Sequence, residues 1–338
     1  MYRLRVLLFL VFIGFIDLLL VAPGMVKAEK GNPILIKFAT VAPEGSTWMK
    51  AMRDLDRTLR EKSHGKMAFR LYAGGIAGDE LDVLRKIGIG QIHCAAFSGV
   101  GFGQILPMVR ILDLPFLFRT EEEIDKVHNE LESYFADAFL EKGFELLSWT
   151  EVGNALIFSK KPVKKVSDMA TCKIWSWSGD PIAKKTFAVM GANPILLAIT
   201  DVTTALNTGM IDTVYGPPLG VLALQWHVNL RYMTTLALAH STGSILISEK
   251  FLNKVPPELR RLLREEMRNS MNLLTMELRK QSKEAVKIIE SKGLKILPLP
   301  QGNELAEFYK VHDLVARHFA GDLYPQDLLD RLYRILGR

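Results

Sequence analysis

Short apolar runs alternate with amphipathic segments along most of the chain. Residues 34–40 form an apolar run with the length of a buried strand, and apolar side chains from Trp48 to Leu59 recur at the spacing of one helix face. Ser46 stands where the N-cap of that helix would lie, and residues 67–72 form a second apolar run. Strand, helix and strand in this order predict a parallel sheet covered by helices.

The same alternation continues to residue 215 and predicts two α/β lobes. The predicted helices cover residues 80–89, 181–190 and 201–208, and the predicted strands cover residues 93–97, 144–150, 156–159, 173–177, 195–198 and 211–215. We assign residues 29–151 plus about 241–275 to lobe 1 and residues 152–240 plus about 276–338 to lobe 2. Open parallel sheets bind ligands beyond the carboxyl ends of their strands, so a cleft between the lobes is the expected binding place.

A long amphipathic pattern follows the second lobe. From residue 256 to residue 292 apolar side chains such as Leu259, Leu263 and Met267 recur on one stripe, without an internal glycine. At ~1.5 Å per residue such a helix exceeds about 50 Å. It is long enough to brace both lobes.

The first 28 residues differ from the rest. Residues 1–5 carry two arginines, residues 6–21 are nearly all apolar, and Val26 and Ala28 are small residues at the positions that a signal peptidase reads. We interpret residues 1–28 as a cleaved signal peptide, which predicts a periplasmic protein. The alternative is an uncleaved membrane anchor, although the apolar run is shorter than the ~20 residues of a spanning helix.

Composition and charge favour a soluble globular protein without nucleic-acid partners. Of the 338 residues 49% are hydrophobic and 24% are charged, and the formal net charge of +6 is spread along the chain. Cys94 and Cys172 could form a disulfide, but isolated cysteines are more often small buried hydrophobes. Neither cysteine has a metal-ligand spacing, and we expect no metal and no cofactor.

The sequence lacks the motifs of common enzymes. It contains no G-x-S-x-G elbow, no H-E-x-x-H pair and no phosphate-binding loop, so we expect a protein that is not an enzyme. An exported hydrolase that uses Asp180, His227 or His240 stays open as an alternative, as does a partner-recognition protein without a ligand.

Two tryptophans stand one residue apart in the segment CKIWSWSGDP. Successive side chains of a strand point to opposite faces, so Trp175 and Trp177 should lie side by side on one face. The following Gly179 and Pro181 mark a turn, which places both indoles near the carboxyl end of the strand. They would either line the cleft or fill the core between sheet and helix.

Several segments together resemble the solute-binding proteins of tripartite ATP-independent periplasmic (TRAP) transporters, of the C4-dicarboxylate-binding type. The resemblance covers most of residues 34–300, and its motifs are GANP at 191–194, DVTTALNTGMID at 201–212, LPFLF at 114–118, KKPV at 160–163 and SEKF at 248–251. It implies an α/β, two-lobed periplasmic-binding-protein-like fold with mixed, mostly parallel sheets and a long bracing helix. It also implies a small-molecule ligand enclosed between the lobes and delivered to membrane permease subunits, with a periplasmic accessory protein as a further possible partner.

The residues that clamp a carboxylate in that family are replaced here. The resemblance places one arginine at Trp175, a second within residues 153–156, and a polar run at Val214, Tyr215 and Gly216. Enclosing a carboxylate without a charged partner costs several kcal/mol, whereas indoles favour apolar or aromatic groups. We therefore expect an apolar or aromatic ligand.

Ten residues are the predicted lining of the binding cleft. Each has a competing interpretation as a core or structural residue, and they are Trp175, Trp177, Trp48, Phe97, Ser98, Trp149, Asn154, Tyr215, Gly216 and Trp226. The alternative within the family is a carboxylate held through Lys173, Arg231 or backbone N–H groups at a helix start.

Overall fold

The computed structural model describes residues 32–338, and alternating strands and helices fill most of this range. The signal peptide predicted at residues 1–28 lies outside the described residues and stays a prediction. Within the described range, none of the helices has both the length and the apolar character needed to cross a membrane.

Ten strands form the framework of residues 32–338. They are β1 (Ile34–Ala39), β2 (Met67–Tyr72), β3 (Cys94–Ser98), β4 (Phe144–Ser159), β5 (Trp175–Trp177), β6 (Ile195–Leu197), β7 (Thr213–Gly216), β8 (Tyr232–Met233), β9 (Ala239–Ser248) and β10 (Lys295–Ile296).

Eleven α-helices and four 3₁₀ segments connect and cover these strands in the described chain. The helices are α1 (Thr47–Lys62), α2 (Glu80–Gly88), α3 (Gly99–Ile105), α4 (Glu121–Glu141), α5 (Pro181–Val189), α6 (Val202–Thr208), α7 (Pro218–Ala223), α8 (Glu249–Leu252), α9 (Pro257–Ser291), α10 (Gly302–Phe319) and α11 (Gln326–Leu336). The 3₁₀ segments are Pro107–Asp113, Val166–Thr171, Ile199–Asp201 and Trp226–Asn229.

The main sheet is mixed, as expected, but it is not mostly parallel, because three of its strand pairs are parallel and four are antiparallel. Seven of its eight strands follow the order β10-β8-β4-β9-β3-β1-β2, and β7 pairs with β4 beside this path. The expected parallel pairing holds between β1 and its neighbours β2 and β3, and between β5 and β6 in a separate two-stranded sheet. The central pairs are antiparallel, because β9 pairs with both β3 and β4, and β4 also pairs with β7 and β8.

Strand β4 joins two strands that the sequence predicts separately at residues 144–150 and 156–159. Its ladder with β9 shifts register between Glu151 and Gly153, and Gly153 has φ +114°. A bulge of this kind bends a strand and interrupts the alternation of side chains. The apolar pattern is therefore broken where the strand itself continues.

Helix α9 confirms the predicted long helix and spans 35 residues. Its apolar stripe, which includes Leu259, Leu263 and Met267, is buried, and the helix contacts α1, β4 and α7. Because β4 belongs to both predicted lobes, one helix packs along the strand that connects them. The residue boundaries of the lobes themselves stay a prediction.

Both cysteines are free thiols. Cys94 lies in the core formed by β1, β9, α1 and α9, and Cys172 packs in a different core cluster. Burial raises the pKa of both thiols, which disfavours the reactive thiolate. The structure therefore contains no disulfide between them.

Two leucines of α9 give a matched test of the bracing helix. Leu263 is fully buried, whereas Leu273 is 69% exposed. Leu263→Ala should lower the free energy of unfolding by about 2–5 kcal/mol, and Leu273→Ala should change it by less than about 0.5 kcal/mol. Urea unfolding followed by circular dichroism measures both values. Similar losses in the two variants would contradict the described packing of α9.

Candidate functional site

The two tryptophans of β5 lie on the same face of the strand, as the alternation of side chains predicts. Their ring centroids are 5.9 Å apart. The indole of Trp175 stacks on Tyr215 of β7 at 5.1 Å, and Trp226 meets it edge-on at 5.4 Å. Four aromatic side chains from three segments thus form one continuous wall.

Hydrogen bonds fix the orientation of both indoles. The Nε1–H of Trp175 donates to the carbonyl of Leu197 at 3.0 Å, in the neighbouring strand β6. The Nε1–H of Trp177 donates to Asp79 Oδ2 at 2.9 Å, where Asp79 is the N-cap of α2. The second bond joins a residue of predicted lobe 2 to one of predicted lobe 1, so it ties Trp177 across the cleft.

A cavity of about 150 Å³, here called the inner chamber, lies against this wall. Six of the ten predicted residues line it: Ser98, Trp175, Trp177, Tyr215, Gly216 and Trp226. Both tryptophans of β5 are nearly buried, with exposed fractions of 2% and 8%. They therefore pack in the interior and border the cavity at the same time, which combines the two interpretations that the sequence leaves open.

A second cavity of about 440 Å³, the outer chamber, adjoins the first. It brings in Trp48 and Phe97 from the predicted set, together with apolar residues of α7 and Leu278 of α9. Ser98, Trp177 and Gly220 line both chambers. The volume of the outer chamber falls in the range of ligand pockets, and its lining is mostly apolar.

The structure places Trp149 and Asn154 away from both chambers. Trp149 stacks on His128 of α4 at 5.4 Å and packs among phenylalanines, because its face of β4 points towards α4. Asn154 is exposed and is hydrogen-bonded through Oδ1 to His240 Nδ1 at 3.0 Å. Lys173 and Arg231, the alternative anchors for a carboxylate, are also exposed and line neither chamber.

The inner chamber contains a buried charged group that the sequence pattern does not predict. Arg110 is 3% exposed, contacts Asp180 in a short ion pair and lies 3.2 Å from Asp113. Asp180 also caps α5 by accepting a hydrogen bond from the N–H of Ala183 at 3.0 Å. Arg110 and Asp113 interrupt an apolar run at a spacing of three residues, which is the one local indication of a buried pair.

A glycine makes room for this ion pair. A Cβ added at Gly99 would collide with the Asp113 carboxylate and the Arg110 guanidinium. Helix α3 can approach the charged group closely only because position 99 has no side chain.

Burial changes the protonation of the carboxyl groups around the chambers. It raises the pKa of Asp113 to about 7, against the lowering effect of Arg110. Burial also raises the pKa of Glu80 to about 7, although Glu80 accepts hydrogen bonds from Ser98 N at 2.8 Å and Gly101 N at 2.7 Å. Glu80 thereby holds Ser98 at the junction of the two chambers.

A second charged cluster lies behind the inner chamber. Arg279 of α9 donates through Nε to Glu151 at 3.0 Å and through Nη1 to Asp125 at 3.0 Å. His240 lies beside this cluster and lines the inner chamber, and its Nε2 is 4.0 Å from Glu151. The cluster links α9, α4 and β4 at the point where β4 is bulged.

Asp180 and His227 are not placed as the catalytic groups of a hydrolase would be. Asp180 is engaged by Arg110 and by the start of α5, so its carboxylate is poorly placed to accept a proton from a substrate. His227 does not line the inner chamber, whereas His240 does. Among residues 32–338 no group of three side chains has the geometry of a metal site.

Comparisons with known proteins find similarity to bacterial solute-binding proteins. The family described as bacterial extracellular solute-binding protein, family 7, matches residues 38–322. A solute-binding protein of Chromohalobacter salexigens is 28% identical over 165 residues, which are 48% of this chain and 49% of that protein. The 2,3-diketo-L-gulonate-binding periplasmic protein of Escherichia coli is 26% identical over 218 residues, which are 63% of this chain and 65% of that protein. The chain thus spans about half to two thirds of the length of these relatives.

A solved structure shows the same fold. The TRAP periplasmic solute binding protein from Citrobacter koseri, with bound D-glucuronate, has a TM-score of 0.81 and 23% sequence identity. The match covers 88% of this chain and 98% of that chain. It confirms the expected two-lobed α/β architecture.

His240 gives a pH-dependent test of the described burial. Its pKa is lowered from 6.5 to about 3, first by burial and then by Arg279. A histidine whose pKa is lower in the folded than in the unfolded state stabilises the fold above the unfolded pKa, and this contribution is lost as the pH falls. As the pH falls from 6.5 towards 3, the wild type should therefore lose more free energy of unfolding than His240→Gln, by up to about 1 kcal/mol per pH unit.

Urea unfolding over a pH series measures this difference. The curves of the two proteins should run parallel at neutral and alkaline pH, where His240 is neutral in both states. Equal slopes on the acid side would show that His240 titrates as an exposed histidine does.

Proposed function

Because the chain belongs to family 7 of the bacterial extracellular solute-binding proteins, we propose that it is the receptor of a TRAP transporter with an apolar or aromatic ligand. It captures this ligand in the two adjoining chambers and delivers it to membrane permease subunits. The proposal includes export to the periplasm through the signal peptide at residues 1–28. A periplasmic accessory protein is a further candidate partner.

The aromatic wall is the observation that carries the choice of ligand. Trp175, Trp177, Tyr215 and Trp226 surround the inner chamber, and the outer chamber is lined mainly by apolar side chains. Burying apolar ligand surface against such walls contributes about 25 cal/mol per Å², with an additional gain where rings stack. Adjoining chambers of this kind also favour a ligand-binding protein over one that only recognises a partner.

The charges around the chambers support the same choice. Within the described chain, Arg110 is the one lysine or arginine that lines either chamber, and it already pairs with Asp113 and Asp180. A ligand carboxylate could reach this guanidinium only by displacing one of the aspartates. Because a displaced buried carboxylate is left without a partner, this exchange is unfavourable.

A sugar acid or other carboxylate is the second candidate. It is favoured by two similar proteins, whose descriptions name 2,3-diketo-L-gulonate and D-glucuronate as ligands. Arg110 is the cation that such a ligand would use here.

A mass spectrum of the purified protein decides between the two candidates. The protein would be isolated from its native host's periplasm under native conditions, and the released small molecule identified. An apolar or aromatic compound at one per chain is the expected result. A stoichiometric dicarboxylate or sugar acid would overturn the proposed ligand class and keep the receptor role.

A larger side chain at position 220 would fill the proposed site without removing any existing side-chain contact. Gly220 lines both chambers on α7, and an added Cβ would meet Pro217 only at 3.8 Å, an ordinary van der Waals contact. Gly220→Leu should fill the junction of the chambers and weaken aromatic-ligand binding about tenfold or more, with little change in Tm. Tryptophan fluorescence titration measures the affinity.

Gly88→Leu is the matched control. Gly88 is an exposed helical glycine with no atom within 4 Å of an added Cβ, so the same substitution there should leave affinity unchanged. If Gly220→Leu folds and binds as the wild type does, the junction of the chambers is not the binding site.

A further inference from the structure

We propose that the inner chamber binds the ammonium group of an amine whose apolar or aromatic body occupies the aromatic wall and the outer chamber. This inference rests on the proposed function and names the polar group of its ligand. It follows from an imbalance of charge and of hydrogen-bond acceptors in the chamber.

The first observation is an unsatisfied carboxylate oxygen. Asp113 lines the inner chamber and is only 8% exposed, and its Oδ2 has no hydrogen-bond partner in the described structure. The nearby Arg110 Nη1 lies 3.2 Å from this oxygen, but in an orientation that makes an ion pair without a hydrogen bond. A buried carboxylate oxygen in this state favours a ligand group that donates hydrogen bonds.

A second acceptor borders the same chamber. His240 Nε2 also has no hydrogen-bond partner, while its Nδ1 is bonded to Asn154 Oδ1 at 3.0 Å. In the neutral tautomer that donates Nδ1–H to this oxygen, Nε2 carries a lone pair and accepts. Arg110 Nε is an unsatisfied donor on a third lining residue, so these residues hold two unsatisfied acceptors and one unsatisfied donor. An ammonium group has three donors and no acceptor, and it matches the two acceptors.

The charged side chains that line the chamber also favour a cationic ligand group. Asp113 and Asp180 provide two carboxylates, and Arg110 provides one guanidinium. The other ionisable groups that line the chamber are Tyr215, whose hydroxyl lies 3.5 Å from Asp180 Oδ2, and the neutral His240. A cation completes this charge balance, whereas a carboxylate would add a third negative group beside a guanidinium that is already paired.

The aromatic wall is compatible with a cation. Indole and phenol rings attract a cation placed over their faces, by about 0.5–2 kcal/mol depending on desolvation. Trp177 and Tyr215 line the chamber that contains Asp113, so ring and carboxylate can contact the same ligand group.

Protonation of Asp113 couples this binding to pH. Burial raises the pKa of Asp113 to about 7, with Asp180 raising and Arg110 lowering it. A bound cation lowers that pKa again, so Asp113 releases a proton when an amine binds. The apparent affinity for an amine should rise about tenfold from one pH unit below this pKa to one unit above it.

Three probes with the same phenyl group test the inference on the full mature protein. They are 2-phenylethylammonium, 2-phenylethanol and phenylacetate, titrated by isothermal calorimetry in two buffers of different ionisation enthalpy. We expect the amine to bind most tightly and phenylacetate most weakly. We also expect proton release with the amine, and none with the alcohol.

Asp113→Asn should weaken amine binding about tenfold more than it weakens alcohol binding, because the amine alone loses a charge-assisted hydrogen bond. Asp322→Asn, at an exposed position in the turn between α10 and α11, removes the same charge elsewhere and should bind as the wild type does. Circular dichroism checks that both variants fold. If Asp113→Asn does not fold, the proton release of the wild type still decides the question.

The outcomes separate this inference from the proposed function. Binding of the alcohol as tightly as the amine, without proton release, would overturn the ammonium site and keep an apolar or aromatic ligand. Preferred binding of phenylacetate would overturn the ammonium site and favour the second candidate, a carboxylate held by Arg110. Absence of amine binding at millimolar concentrations would overturn the ammonium site as well.

Discussion

Arg110 is 3% exposed, and a buried guanidinium is tolerated only where carboxylates surround it. Asp113 comes from the same 3₁₀ segment, whereas Asp180 comes from the start of α5, 70 residues further along the chain. The ion pair therefore fixes α5 and the adjoining strand β5 against the first half of the molecule. The positions of Trp175 and Trp177 depend on this contact, because both stand on β5.

The strands and helices around the chambers are also held in place by contacts between segments that are distant in sequence. Strands β4 and β9 pair over most of their lengths, and α9 packs along β4. The Arg279 cluster stabilises the bulged part of β4 by joining α9 to Glu151 and to Asp125 of α4. Contacts of this kind limit how the two halves can move, since any opening of the cleft must leave β4, β9 and α9 intact. The contacts that hold β5 and the start of α5 against the first half of the molecule include the bond from Trp177 to Asp79, the ion pair of Arg110 with Asp180 and the bond from Gln104 to the carbonyl of Gly179.

The elements that could be predicted are those whose cause is local. Helix α9 begins and ends within one residue of the prediction, because a 3.6-residue apolar period over 35 residues has no competing interpretation. The shared face of Trp175 and Trp177 follows in the same way from the two-residue period of a strand. Arg110 was missed because its decisive partner, Asp180, is distant in sequence. Trp149 packs away from both chambers because the continuous, bulged strand β4 turns its face towards α4, and short-range alternation does not report this bend.

The lining of the two chambers determines which interactions contribute to ligand binding. A guanidinium clamp provides strong, directional bonds and demands one ligand geometry. The chambers described here offer mainly apolar surface, whose contribution scales with buried area and depends weakly on the ligand's exact outline. Specificity must then come from the few polar atoms that remain unsatisfied, because leaving such an atom without a partner penalises every ligand that cannot pair with it. Among the residues that line the inner chamber, the unsatisfied atoms are two acceptors, on Asp113 and His240, and one donor, Arg110 Nε. The inner chamber therefore selects the ligand's polar group, and the outer chamber accepts a range of apolar bodies.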